Sequence, residues 1–254
     1  MVKNLFIYCE AEEKGVADIS LEILSKGRSL ADQLGIKVEV IVLGHQLSNL
    51  EETLFAYGAD VIHLADDKRL FPYTTLPHAK IVSEIFKKEK PRIGLFGATS
   101  IGRDLAPRIS SGLKCGLTAD CTELLIDDYL DKKTKTEYND LLMQIRPAFG
   151  GNIIATIVTP DTEPQLATVR EGVMRKVKLE EPKKGKVKKV NADDYLTDED
   201  LIVSVLERHI EKSELNLKGS NIIVSGGYGV GSRENFDLLF DLAHALGGEV
   251  GASR

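Results

Sequence analysis

The sequence predicts an α/β protein: an N-terminal open parallel sheet with flanking helices, then additional β-strands, then the start of a second α/β unit. Three observations carry this. Over residues 5–96 short apolar runs alternate with helical patterns, the spacing of βαβ crossovers in a parallel sheet covered on both faces. After residue 113 the apolar runs follow one another without helical stretches between them. Near the end, Ile222-Ile223-Val224 reads as a short buried strand leading into a turn rich in glycine and then a helical pattern.

Taken in order, residues 5–8 are a strand. Residues 19–34 are a helix, because Leu21, Leu24, Leu30, Ala31 and Leu34 share one face and Gly35 ends it. Strands follow at 38–43, 61–64 and 93–96, with helices at 47–55 and 76–86; Ile81, Val82, Ile85 and Phe86 face the core. Residues 97–104, G-A-T-S-I-G-R-D, stand beyond the carboxyl end of the fourth strand, where open α/β sheets take ligands. Capping by Thr99 or Ser100, with Asp104 complementing the dipole in the first turn, accounts for the same residue types; anion binding is the other reading.

Residues 116–122 read as a loop of small residues, and 124–126, 141–145, 153–158 and 166–169 as strands. Arg146 to Asn152 is a tight turn punctuated by Pro147, Gly150 and Gly151. Arg146 and Arg170 are candidates for binding or subunit contact, with a solvated or paired arginine as the plain alternative. The seven lysines of residues 176–189 read as a solvated connection rather than a nucleic-acid patch, since no aromatic residues interleave. Residues 201–205 are a strand or one helical turn. The polar stretch 211–219 marks a domain boundary, giving an N-terminal domain over 1–212 and a second over 213–254.

Composition excludes several classes. The chain has 254 residues, 43% hydrophobic and 28% charged, the balance of a globular protein. Its net charge of −6 argues against a general nucleic-acid binder. No apolar run approaches the roughly 20 residues that span a bilayer, so no membrane insertion is expected. Met1-Val2-Lys3-Asn4 runs straight into a strand pattern with no signal or transit peptide, which places the protein in the cytoplasm. Three cysteines without CxxC spacing and five scattered histidines predict neither a metal site nor a nucleophilic constellation, and no catalytic residue is named. The glycine turn Gly226, Gly227, Gly229, Gly231 suits a phosphate or dinucleotide near a helix N-terminus. It departs from the dinucleotide fingerprint, because Ser232 stands where a third glycine falls when the count starts at Gly227.

Five segments together resemble the alpha subunit of electron transfer flavoproteins: G-A-T-S-I-G-R-D-L-A-P-R at 97–108, G-L-T-A-D-C-T at 116–122, R-P-A-F-G-G-N at 146–152, A-T-V-R-E-G-V at 167–173, and S-G-G-Y-G-V-G-S-R-E-N-F with the final G-A-S-R. They stand in the family's order and cover nearly the whole chain. The resemblance implies a scaffold domain that docks the electron transfer flavoprotein beta subunit, followed by the opening part of an FAD-binding domain. It implies electron transfer between an acyl-CoA dehydrogenase or other flavin dehydrogenase and an acceptor, without substrate chemistry of its own. Some members instead bifurcate electrons with NADH and a second FAD in the beta subunit. Ser253 and Arg254 are carried over as flavin contacts, with Gly227 and Tyr228 at the turn; the family often has arginine where this chain has Tyr228. Family members continue past G-A-S-R, so the domain is expected to be incomplete and FAD affinity of this piece alone weak. The alternative is a nucleotide-binding or subunit-docking module without redox function of its own.

Physics supports Arg254 apart from the resemblance. A guanidinium beside an isoalloxazine favours its anionic reduced forms over the neutral oxidised one. One charge at about 4 Å, with an effective dielectric near 20, contributes on the order of 4 kcal/mol. At 59 mV per tenfold change for one electron, the upper end is a rise of roughly 170 mV.

Overall fold

Strand β1 (Leu5–Cys9) runs through the middle of the main sheet with all five of its residues buried. It belongs to a computed structural model that describes residues 3–12, 15–209, 217 and 220–252. A small hairpin, β2 (Ala11–Glu12) and β3 (Gly15–Val16), leads into α1 (Asp18–Leu34), which stops where Gly35 turns left-handed at φ 64°. Then come β4 (Val38–Gly44), α2 (Leu50–Ala56), β5 (Val61–Asp66), α3 (Thr75–Glu89), β6 (Ile93–Gly97) and α4 (Ser100–Leu113). The chain continues through β7 (Leu117–Cys121), β8 (Glu123–Leu130), β9 (Glu137–Ala148), β10 (Ile153–Ile157), β11 (Gln165–Val169) and β12 (Lys186–Lys189).

Seven of these strands form one sheet in the order β12-β5-β4-β1-β6-β11-β7, every neighbouring pair parallel. The period-two alternation of its strands sorts the core into two layers. Leu5, Ile7, Val40 and Val42 pack with Ile23 and Leu24 of α1 on one face. Phe6, Tyr8 and Ile41 pack with Ile81, Ile85 and Phe86 of α3 and Leu105 of α4 on the other. Each such buried side chain contributes about 1.5–3 kcal/mol. The α/β expectation holds.

Several local expectations are corrected. Residues 117–121 are a strand, β7, rather than a loop; it exists because β11 pairs with it, through a bulge at which Asp120 takes φ 59°. Of the strands that follow one another without helices between them, 165–169 joins the main sheet, and the separate antiparallel sheet is β10-β9-β8. The turn at its tip is narrower than expected: 146–148 are paired in β9, and residues 149–152 reverse the chain, with Phe149 (φ 48°) and Gly150 (φ 69°) left-handed. Part of the lysine segment is likewise structured. Lys186–Lys189 forms an edge strand on β5, with Lys188 Nζ 3.5 Å from Glu39 and 3.2 Å from Glu89. Lysines on an edge discourage pairing with other chains. Residues 198–201 form a 3-10 turn and 202–205 are irregular.

The chain divides into two compact units, 1–205 and 206–254. The expected boundary between 212 and 213 falls within residues 210–216, outside the described residues. In the second unit β13 (Ile223–Gly226) pairs parallel with β14 (Glu249–Ala252) across α5 (Asp237–Leu246). The strand is half-open rather than buried, with Ile222 and Ile223 exposed and Ala243 the buried apolar residue on the helix. A two-stranded sheet under one helix has little interior.

Candidate functional site

In the second unit the register pairs Gly226 with Ala252 and Ser225 with Gly251. The segment leaving β13 and the segment leaving β14 therefore emerge side by side at the carboxyl end of a parallel pair. That is where α/β sheets present ligands. The sequence makes this close packing possible at two glycines. A Cβ on Gly226 would stand 2.2 Å from Leu239 Cδ1 and 2.9 Å from Val230 Cγ2, and one on Gly248 would stand 2.6 Å from the Ile222 carbonyl oxygen.

After Gly226 the chain makes a 3-10 turn, Tyr228–Val230, entered from an extended Gly227 and left through Gly231 at φ 84°. Asn235 Nδ2 donates to the Val230 carbonyl at 2.8 Å and holds the turn closed. Nothing lies within 4 Å of a Cβ placed on Gly229, and Tyr228 is fully exposed. The turn thus offers open backbone and a free aromatic ring. These features fit a phosphate-bearing, ring-containing cofactor such as FAD.

One expectation changes. Helix α5 does not follow the glycine turn directly: a further 3-10 turn, Glu234–Phe236, precedes it, with Glu234 and Asp237 placed as acids in the first turns. The Ser232 hydroxyl hydrogen-bonds Glu234 and holds its carboxyl below the usual range. The positive end of the helix is already complemented by these acids. What remains for a ligand is the turn at Gly227 to Gly231. Ser253 and Arg254, the other two expected contacts, follow Ala252 in the sequence and lie outside the described residues.

The N-terminal candidate, residues 97–104, is filled. Thr99 is the N-cap of α4, its hydroxyl oxygen accepting from the Gly102 amide at 3.0 Å. A Cβ on Gly102 would be 1.8 Å from the Gly97 carbonyl oxygen, so helix and strand end meet with no gap. Asp104 lies in the second turn, not the first. It accepts from Tyr73 at 2.8 Å and Thr75 at 2.6 Å, tying α3 to α4. Partial burial opposes its charge, but these bonds and Arg108 hold its carboxyl below the ordinary value.

Three residues of the resembling segments, Arg103, Arg146 and Arg170, meet the end of β7. Arg103 lies 3.1 Å from Asp120, the Arg170 amide donates to the Cys121 carbonyl at 2.9 Å, and half-buried Arg146 lies near Cys121. Burial pushes the Cys121 thiol up to about 12 against the pull of Arg146. All three cysteines are free and buried.

Three buried acids, Glu10, Glu22 and Glu39, escaped the sequence reading, and two of them lie in or adjoin the central strands. Glu39 Oε2 meets His63 Nε2 at 2.6 Å, and Asn4 donates to its other oxygen at 2.7 Å. The available signal was a polar residue at a core-facing register in two adjacent apolar strands, V-E-V and I-H-L. Glu10 is the other, and its surroundings are taken up below.

Comparison with known proteins follows the same division. The electron transfer flavoprotein domain family model matches residues 5–195, and the electron transfer flavoprotein FAD-binding domain model matches residues 216–254. The chain is 44% identical over 253 residues to "Electron transfer flavoprotein subunit alpha" of Thermoanaerobacterium thermosaccharolyticum, covering 99% of this chain and 73% of that protein. It is 43% identical to "Protein FixB" of Clostridium saccharobutylicum, covering 99% of this chain and 72% of the relative. With "Acryloyl-CoA reductase electron transfer subunit beta" of Anaerotignum propionicum the identity is 38%, over 99% of this chain and 73% of that one. Among the described residues no helix is long and apolar enough to cross a membrane.

Proposed function

We propose, from the premise that this chain belongs to the electron transfer flavoprotein family as an alpha subunit, that its second unit holds FAD at the glycine turn and its first unit is the scaffold. The family membership rests on the two matched domains and on relatives similar along the whole chain. Bound FAD supplies the electron-accepting and electron-donating group. The chain's residues bind it, orient it and set its potential.

The observation that carries the reading is the shared exit of β13 and β14, where Gly226 pairs with Ala252, the residue preceding Ser253, and leads into the turn with its open Gly229. In this reading Gly227 lets the backbone approach the cofactor, Tyr228 lays its exposed ring or hydroxyl against it, and Ser253 and Arg254 contact the flavin. The domain division at 212/213 is part of the same proposal. So are a cytoplasmic location and electron donation from an acyl-CoA dehydrogenase or another flavin dehydrogenase.

An electron transfer flavoprotein beta subunit is the partner its relatives imply, and the first unit is the part proposed to dock it. The test of the site is a redox titration of the FAD-loaded complex. Arg254→Ala is expected to lower the flavin potential, by up to roughly 170 mV for full loss of one nearby charge. An unchanged potential removes Arg254 from the site.

A further inference from the structure

The main sheet reverses its order between β1 and β6: β1 connects through α1 to β4 on one side, while β6, reached from β5 through α3, lies on the other. In open α/β sheets this reversal opens the crevice that takes nucleotide phosphates, with the following helix N-termini pointing at the anion. In this chain the crevice holds a side chain. Glu10, the residue after β1, is only 9% exposed, and its Oε1 accepts the Thr99 hydroxyl proton at 2.6 Å. Because that same hydroxyl oxygen accepts the Gly102 amide, the carboxylate is joined by one relay to the first turn of α4.

Glu10 is held equally firmly to the start of α1. Its amide donates to Ser20 Oγ at 2.9 Å, and its carbonyl accepts the Ala17 amide at 2.9 Å. A Cβ on Gly97 would lie 3.3 Å from Glu10 Oε1 and 3.2 Å from Ile19 Cγ1, so the carboxylate is seated against the strand end. A buried carboxylate joined to the first turn of α4, on a residue whose backbone is tied to the start of α1, has the charge and position of a bound phosphate. We propose that Glu10 is an internal ligand: its carboxylate occupies the phosphate position of a nucleotide-type crevice, leaving the first unit a scaffold that cannot take a nucleotide there.

The test uses the full chain, with inorganic phosphate and formate as probes against chloride at matched ionic strength. The readouts are the Gly102 amide resonance and the thermal midpoint. In the unaltered protein neither anion is expected to move the Gly102 resonance beyond the chloride control. Glu10→Ala empties the position, so both anions should shift Gly102 saturably and raise the midpoint. Glu10→Gln fills the space without charge; it should lower the midpoint by about 4 °C and show no anion response. A saturable response in the unaltered protein overturns the proposal, as does a folded Glu10→Ala variant that ignores both anions. If Glu10→Ala does not fold, a Glu10→Gln midpoint within about 1 °C of the unaltered protein overturns it, because the charge then contributes nothing. FAD binding at the other unit is untouched by any of these outcomes.

Discussion

Replacing Arg28 by methionine should destabilise the scaffold unit by about 3 kcal/mol. Arg28 lies on α1 with its side chain 7% exposed, and its Nη1 lies 2.6 Å from Asp60 Oδ2 and 3.3 Å from the Gly58 carbonyl. Its Nη2 donates to the Ile36 carbonyl at 3.2 Å and reaches Asp32 at 2.7 Å. Methionine keeps an unbranched stem beneath Gly58, where a Cβ would come within 2.8 Å of Arg28 Cγ, and removes only the head. Asp60, 22% exposed, then loses its cation while keeping the Val38 amide at 2.9 Å. Stripping one partner from a fully buried pair costs about 3–5 kcal/mol, and the water that reaches Asp60 argues for the lower end. The drop corresponds to about 6–12 °C in midpoint for a unit of this size. Urea unfolding measures it, with Asp32→Ala as the control: that partner is 62% exposed, so its loss should stay within about 0.5 kcal/mol. A cost below about 1 kcal/mol for Arg28→Met, or an equal cost for Asp32→Ala, refutes the assignment of Asp60 as the partner that matters.

Three further outcomes are expected. Gly102→Ala drives a methyl to 1.8 Å from a backbone oxygen and should destabilise by more than about 3 kcal/mol, while Gly112→Ala, with nothing within 4 Å, should stabilise α4 by about 0.5–1 kcal/mol; equal effects in denaturant unfolding refute the close approach. Hydrogen bonds from Arg69 hold Asp67 at about 2, so its stabilisation is complete above the unfolded value near 4 and is lost as pH falls toward 2. Asp67→Asn should therefore cost about 1–2 kcal/mol at pH 6 and about 0.4 kcal/mol at pH 2, where the folded carboxyl is half protonated, read from urea midpoints across that range; a cost independent of pH contradicts the ion pair. Tyr228→Arg, at a fully exposed position, should change stability by less than about 0.5 kcal/mol and raise the potential of bound flavin. A large stability loss would place the tyrosine in the packing instead.

The sheet's centre was legible because β1, β4 and β6 are apolar runs bounded by helices whose faces repeat at helical spacing, a signal carried by local sequence. Helix α1 and its Gly35 terminus follow from the same logic. β7 was not legible: Gly116, Thr118 and Ala119 show no alternation, and the strand forms because β11, distant in sequence, pairs with it. β12 was hidden for a similar reason, since K-V-K-K reads as solvated until an edge of β5 is available to hold it. In the site, the turn at Gly227 and Tyr228 followed from glycine spacing, whereas Ser253 and Arg254 rest on the resemblance and the electrostatic case for Arg254. Glu10 was silent in the sequence, because one glutamate after a strand looks like any solvated acid. Only the sheet order and the Thr99 hydrogen bond set it apart, placing it where the strand order reverses.

The account's central claim is that this chain is the FAD-bearing alpha subunit of an electron carrier. Its most direct test is to produce the protein together with an electron transfer flavoprotein beta subunit, isolate the heterodimer, and quantify the flavin released on denaturation. The account predicts a yellow complex from which FAD is recovered and whose colour bleaches on reduction by a flavin dehydrogenase. A well-formed heterodimer that is colourless and takes up no added FAD would contradict it.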